Sequence, residues 1–407
     1  MNTNLTSSII AKEAMRAFVT SLGLAQGIDM QYKSEFAQSG AKAGAVVNVR
    51  KPVRFVVNTG QGLHLQDVLE ESAPLAIQWQ DHVDFQFASS DLALTIDNFS
   101  DRYLKPAGAA LAAKFDTRVA GLYSKVWNFC GVPGTTPTAS LTYSAARTAL
   151  NLAGAPDEGK RRMVVTSDMM ANAVDAMKGL FHAQGALEGQ FKSGAVGNRV
   201  LGFNWSEDDN LIAHTVGVNA GAPQVDGANQ TGASVLLKSW TATTGTVKRG
   251  DILQFAGVYS VDPLTYLSTG KLANFTITSD GTASGGGALT VYISPSIVTS
   301  GSTQTVTGSP ADSANVTVFG HATTYSAKVS KQGLAFHPKA FTAAFVDLPL
   351  PRGADMAARI SDPELGISMR VWRDGDITTD QFPCRIDILY GLDSLRPEFA
   401  CRVASAS

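Results

Sequence analysis

TATTGTVKRGDILQFAGVYSVDP, residues 241–263, is the stretch on which the fold turns. It lies at the centre of a charge-poor block, residues 222–327. There, nine of 106 residues are Asp, Glu, Lys or Arg, while eighteen are Thr and thirteen are Gly. Short apolar and β-branched runs (VLLKSW, ILQFAGV, FTIT, LTVYI, NVTVF) favour strands, and Gly, Asp and Pro mark the turns between them. The block therefore reads as a small β-barrel or sandwich inserted into another domain. Lys248-Arg249-Gly250-Asp251 reads as a charged β-turn with Gly at the bend, which outweighs a receptor-binding reading of the R-G-D triplet.

The flanks are mixed α/β. Residues 6–22 predict an amphipathic helix with Ile10, Ala14, Ala17, Phe18 and Leu22 on one stripe and Thr6 or Ser7 as its cap. Residues 46–57 are strand-like, but Pro52 confines them to an edge or an irregular hairpin arm. Gly60 and Gly62 mark a bend. The return, residues 75–87, alternates between an apolar face (Leu75, Ile77, Trp79, Val83, Phe85, Phe87) and a polar one (Gln78, Gln80, His82, Asp84, Gln86), as a half-buried strand does.

A helical stripe of Leu104, Leu111, Phe115, Leu122, Val126 and Phe129 predicts one long helix over 101–130, with Gly131 as its stop. At 1.5 Å per residue that rod is roughly 40 Å or more long. Met163-Val-Val-Thr reads as a buried strand, and Ser167 as the cap of a helix with Met170, Val174, Met177 and Phe181 on one face. Residues 185–205 are Gly-rich and turn-heavy. Two alternating strands close the chain, one through Ile367, Met369 and Val371, the other through Ile386, Ile388 and Tyr390.

Composition excludes several classes. A chain of 407 residues can bury two cores, or one large domain with an insertion. Net charge is −2, so a general polyanion-binding surface is not expected. Cys130, Cys384 and Cys401 are too few and too odd in number for a disulfide framework. Neither a secretory signal nor a membrane span is expected. Gly154 to Arg161 matches G-x-x-x-x-G-K, yet Arg161 stands where a phosphate loop needs Ser or Thr, and the loop leads into a strand rather than a helix. His64, His82, His182, His214, His321 and His337 are scattered, and Glu207-Asp208-Asp209 lacks the alternating ligands of a calcium loop. No nucleophile and base are paired by a motif. No catalytic residue, cofactor or metal site is expected.

Charge is polarised along the hairpin. Residues 1–60 hold seven Lys/Arg against three Asp/Glu, whereas residues 61–101 hold eight Asp/Glu and no Lys/Arg. Two arms of opposite sign suit docking onto a copy of the same molecule, and the competing expectation is a hairpin neutralised within itself. The first reading places Arg50, Lys51 and Arg54 of one subunit against Asp67, Glu70 and Glu71 of a neighbour.

The 241–263 phrase and RIDILYGLDSLRPEFACRV, residues 385–403, together resemble the coat proteins of tailed double-stranded DNA phages, of the phage P22 type. The resemblance covers most of the chain at the level of architecture. It implies an α+β protein of the HK97 capsid fold with an inserted all-β, barrel-like domain. The implied parts are an N-terminal arm (1–40), an extended hairpin loop (41–95), a peripheral domain with a spine helix (96–131 and 352–407), an axial domain (132–221 and 328–351) and the insert (222–327). It further implies a major capsid protein in the virion, assembled in the host bacterial cytoplasm into an icosahedral shell of hexamers and pentamers. Its implied partners are its own copies, a scaffolding protein, a portal protein at one vertex and the packaged double-stranded DNA, held without sequence specificity. A tail or decoration protein, or an α/β hydrolase-like enzyme with a β insert, are the competing readings. Two features depart from relatives. GASVLLKSW runs almost directly into TATTG, where the prototype has an extended acidic loop implicated in two-fold contacts. The hairpin tip, Gly60 to His64, has no lysine for covalent cross-linking.

Overall fold

The computed structural model describes residues 7–30, 44–57, 59–63, 65–66, 70–88, 100–177, 196, 199–321, 323–362, 365–375 and 381–406. Of the residues singled out above, Thr6, His64, Asp67, Phe181, His182 and most of 185–205 lie outside these. The chain divides into two compact units. One comprises residues 1–49, 72–119 and 341–395, the other 50–71, 120–340 and 396–407.

The first unit is built on a six-stranded sheet in the order Val46–Arg50, Ser72–Ala88, Gln381–Asp393, Ser368–Arg373, Met356–Ser361, with Thr342–Val346 pairing to Gln381–Asp393. The alternation read from the sequence is present: Leu75 and Ile77 are buried, while Gln78, Gln80, His82, Asp84 and Gln86 are exposed. Ser72–Ala88 pairs antiparallel with Gln381–Asp393, from Ile77 opposite Gly391 to Ala88 opposite Gln381, with a bulge between Ile77 and Trp79. The bulge explains the glycine of the C-terminal phrase. A Cβ on Gly391 would lie 2.3 Å from the Ala76 carbonyl oxygen, so no side chain fits there. Pro52 does what the sequence predicts, because the first strand stops at Arg50.

The N-terminal helix, Ser7–Ser21, buries Ile10, Ala14 and Phe18, and Leu22 is buried just beyond its end. It docks on the spine helix, Lys105–Ala120, at Gly108, where a Cβ would come 2.9 Å from both the Ala17 Cβ and the Phe18 nitrogen. Phe18, Phe115, Phe345 and Tyr390 form one aromatic cluster, with Phe115 centred 4.9 Å from Tyr390, edge-on, and 5.2 Å from Phe345. That cluster fixes the helix to the sheet.

The spine helix is shorter than its stripe predicts. A π-helical turn, Ser100–Leu104, precedes it, and a 3-10 turn, Gly121–Lys125, follows it. Its sixteen residues span about 24 Å. The chain leaves the helix because Ser124 Oγ bonds the Gly121 carbonyl and the Val126 N–H bonds the Tyr123 carbonyl, which tightens and ends the last turn. Phe129 fits the helical spacing but lies in a strand, Phe129–Gly131.

The second unit has a mixed sheet in the order Phe129–Gly131, Ala400–Ala404, Val329–Phe336, Arg162–Val165, Asn204–Glu207, with Ala213–Thr215 pairing to Val329–Phe336. Ala400–Ala404 runs parallel to Phe129–Gly131 and antiparallel to Val329–Phe336. The segment 352–407, expected to be peripheral throughout, is therefore divided between two sheets. The helix Ser167–Met177 is capped by Thr166, whose Oγ accepts the Met169 N–H, and not by Ser167, whose Oγ turns to the Asp209 carboxylate.

Within this unit the insert is a closed barrel. Six strands run in the order Val316–Val318, Ile252–Phe255, Phe275–Ile277, Leu289–Ile297, Gly232–Trp240, Gly221–Val225. The last returns to the first through the bridge of Gln224 with Asn315 and the bond from the Val225 N–H to the Ala314 carbonyl. Leu289, Val291 and Ile293 point inward while Thr290 and Tyr292 point outward. Gly232–Trp240 leads straight into the turn at 241–245, in keeping with the short connection read from the sequence.

Candidate functional site

The polarised hairpin pairs its own charges. Arg50 meets Glu70 at 3.2 Å and Lys51 meets Glu71 at 3.8 Å, both at the surface, and the Lys51 N–H donates to the Glu71 carbonyl at 2.7 Å. Arg54 is exposed in the extended stretch that follows Pro52. Asp67 is outside the described residues. Exposed pairs of this kind are weak and exchange readily. Residues assigned by sequence to two subunits, Arg50 and Lys51 on one side and Glu70 and Glu71 on the other, are thus brought together within one chain.

Beyond Pro52 the arms have no described ladder. Gln66 substitutes for one with its amide, its Oε1 accepting the Val56 N–H and its Nε2 donating to the Val56 carbonyl. What this stretch presents is apolar: Phe55 is 59% exposed, Val57 87%, Leu63 85% and Leu65 87%. A groove of about 890 Å³ passes between the hairpin base (Lys51, Arg54, Glu71) and the insert (Pro263, Leu264, Lys271).

The long strand of the hairpin is pinned at its root. The Arg118 guanidinium donates to both oxygens of Asp81, at 3.0 and 2.7 Å, and the Tyr390 hydroxyl donates to the same carboxylate. Burial pushes the Asp81 carboxyl up, but the bonds from Arg118 and Tyr390 and the Arg118 charge prevail and hold it below the usual carboxylate value. Beside it, Arg370 and Gln80 converge on Asp387, which is fully buried.

The K-R-G-D turn is structural. Asp251 is fully buried and accepts the N–H groups of Lys248 (2.7 Å) and Gly217 (3.1 Å). Gly250 supplies the left-handed bend at φ +97°, and the Arg249 N–H goes to Asp280. The third donor to Asp251 is His214 Nε2, at 2.8 Å. A carboxylate only accepts, so this nitrogen carries the proton. Nothing in the spacing of the histidines marks His214 for this role. Only the strand pattern around it, with its alternate burial, hints that it faces inward.

The remaining motifs are also absorbed. Arg161, 1% exposed, donates to the carbonyls of Ala155 (2.6 Å) and Pro156 (3.0 Å) and to Asn151 Oδ1 (2.7 Å), so it staples the glycine loop that imitates a phosphate site. In the 207–209 acidic run, Asp208 accepts the Asn210 N–H and Asp209 receives Ser167 at a helix start, where negative charge is favoured.

Residues 1–402 match the family model described as P22 coat protein, gene protein 5. No curated protein matches the chain. Among solved structures it is similar to one from Mycobacterium phage Che8, at 13% identity over 93% of this chain and 90% of that one, with a TM-score of 0.45. It is similar to the capsid of the cyanophage P-SCSP1u at 11% identity over 90% and 85%, TM-score 0.45. Over 24% of its length it is similar to 96% of the CUS-3 coat protein I-domain, at 23% identity and a TM-score of 0.19.

Proposed function

The chain belongs to the P22 coat protein family, and from that premise we propose how its copies meet. It is a major capsid protein, a structural component of the virion that builds the shell. In the proposal, hexamers and pentamers close an icosahedron around double-stranded DNA. Assembly takes place in the host cytoplasm on a scaffolding protein, with a portal at one vertex, and the protein has no catalytic role of its own. DNA contact is non-specific, as the near-neutral charge suggests.

The observation that carries the proposal is the exposed run Phe55, Val57, Leu63 and Leu65 on the hairpin. Large apolar side chains this exposed, gathered in one short stretch of sequence, suit a protein-binding surface. In a protein that meets its own copies, the occupant is a neighbour. Arg50, Lys51 and Arg54 then exchange partners, so that some of their intrachain pairs with Glu70 and Glu71 become pairs with a neighbour's acidic arm. Such contacts supply area, of the order of 1,600 Å² for a standard interface, while each stays weak enough to be corrected. Residues 222–327 serve as an inserted domain that stabilises its host.

Negative-stain electron microscopy with sedimentation velocity, with and without a co-expressed scaffolding protein, tests the proposal. Closed or aberrant shells are expected. A stable monomer or small oligomer under both conditions would overturn it.

A further inference from the structure

Arg402 stands in the middle of the closing strand Ala400–Ala404 and is fully buried. None of its three guanidinium nitrogens has a hydrogen-bond partner among the described residues. It lies instead against two rings, 5.6 Å from the Tyr123 centroid and 5.6 Å from the Phe319 centroid. Tyr123 belongs to the turn after the spine helix, and Phe319 belongs to the insert. Burial lowers the Arg402 guanidinium to about 10, so it stays charged at neutral pH. A buried cation needs a counter-charge, and ring faces supply only part of one.

The carboxylate whose charge acts on Arg402 is Asp251, in the insert's K-R-G-D turn. The two are joined through a row of side chains. His214 Nε2 donates to Asp251 at 2.8 Å, and His214 Nδ1 lies 3.0 Å from the Tyr123 hydroxyl. With the Nε2 proton directed at the carboxylate, the ring's other nitrogen meets the Tyr123 hydroxyl. The Tyr123 ring then lies beneath Arg402. Asp251 and His214 are 0% and 2% exposed, so little water screens the arrangement. Thr276 of the insert adds a bond of 2.9 Å to the Ser124 carbonyl beside it.

We propose that Asp251 and Arg402 are remote counter-ions, coupled through His214 and Tyr123, and that seating the insert's turn is what keeps the C-terminal strand closed. Asp251 sits on the insert and Arg402 on the host's last strand, 151 positions apart in sequence. Among the described residues Arg402 has no direct ion-pair partner and Asp251 has only His214, and each compensates the other. The K-R-G-D turn is then a latch for the end of the chain, beyond its role as a turn in the barrel. When one charge is removed, the other is left buried and uncompensated, which destabilises more than replacing both.

Hydrogen exchange read by mass spectrometry on the full-length protein tests this. Asp251→Asn is expected to raise exchange in peptides covering 397–406 about tenfold, and Arg402→Met to do the same over 246–255. The double variant is expected to stay near the single ones rather than show the product of the two. A rise confined to 246–282 in Asp251→Asn, with 397–406 unchanged, overturns the proposal, as do effects that multiply independently. Should Asp251→Asn fail to fold, adding Arg402→Met decides. Recovery of soluble, folded protein supports the coupling, and failure to recover overturns it.

Discussion

The buried carboxylate of Asp116 accepts the backbone N–H of Gly23 at 2.8 Å, and its other oxygen accepts that of Ala25, also at 2.8 Å. One side chain of the spine helix thereby satisfies the chain where the N-terminal helix ends and the turn Leu24–Gly27 begins. Asp116→Ala should destabilise the protein by roughly 2–4 kcal/mol, since it leaves buried donors without a charged acceptor. Urea denaturation measures the loss. Limited proteolysis should show early cleavage after the N-terminal helix, and an unchanged cleavage pattern would contradict the anchoring role.

Phe115 is the hub of the aromatic cluster and is fully buried. Phe115→Ala should cost about 3–5 kcal/mol in thermal or chemical unfolding. Phe115→Leu should recover a good part of that, because it restores volume without the edge-on contact to Tyr390.

Asp81 sets an acid limit. Its folded value lies below the unfolded 3.8, so the stability it contributes is present above about pH 4 and is lost as pH falls through the lower folded value. Asp81→Asn should flatten the fall of stability with pH below about pH 4. Parallel acid titrations of both proteins, followed by circular dichroism, test it, and identical slopes would count against this group.

At the hairpin, Leu63→Ser with Leu65→Ser should change monomer stability by no more than about 0.5 kcal/mol, because both side chains are exposed. Shell formation should nevertheless fail. Reversing Arg50, Lys51 and Arg54 to Glu should likewise block assembly while leaving a folded monomer. Normal shells from either variant, seen by electron microscopy, would remove the hairpin from the assembly interface.

The insert has a core of its own, from Val216 to Tyr325. A fragment spanning residues 216–328, which contains that core, should therefore melt cooperatively in calorimetry. A broad, non-cooperative trace would show that the barrel depends on its host.

Period-two patterns were the most legible part of the chain. Leu75 and Ile77 in the hairpin, and Leu289, Val291 and Ile293 in the barrel, alternate as their burial does. Local pattern misleads where geometry changes without a change in composition. Leu122 and Val126 continue the stripe of the spine helix through a 3-10 turn into extended chain. Ala-Cys-Arg-Val, residues 400–403, carries no mark of the sheet it joins, because strand pairing is a long-range choice. The least legible residues are Asp116, His214 and Arg402. Each is polar, and each is buried by contacts from elements 37 to nearly 280 positions away, so no window of sequence contains its reason.

The bridge between Gln224 and Asn315 turns the six strands of the insert into a ring. A ring has no end to which a foreign strand can add. A coat subunit must accumulate at high concentration before it is used, and every copy carries this Thr- and Val-rich β segment. An open sheet of that composition would be a seed for fibrils. With the ends joined, the six-stranded ring offers no open edge of its own, and its Thr- and Val-rich strands are kept from pairing with those of another copy.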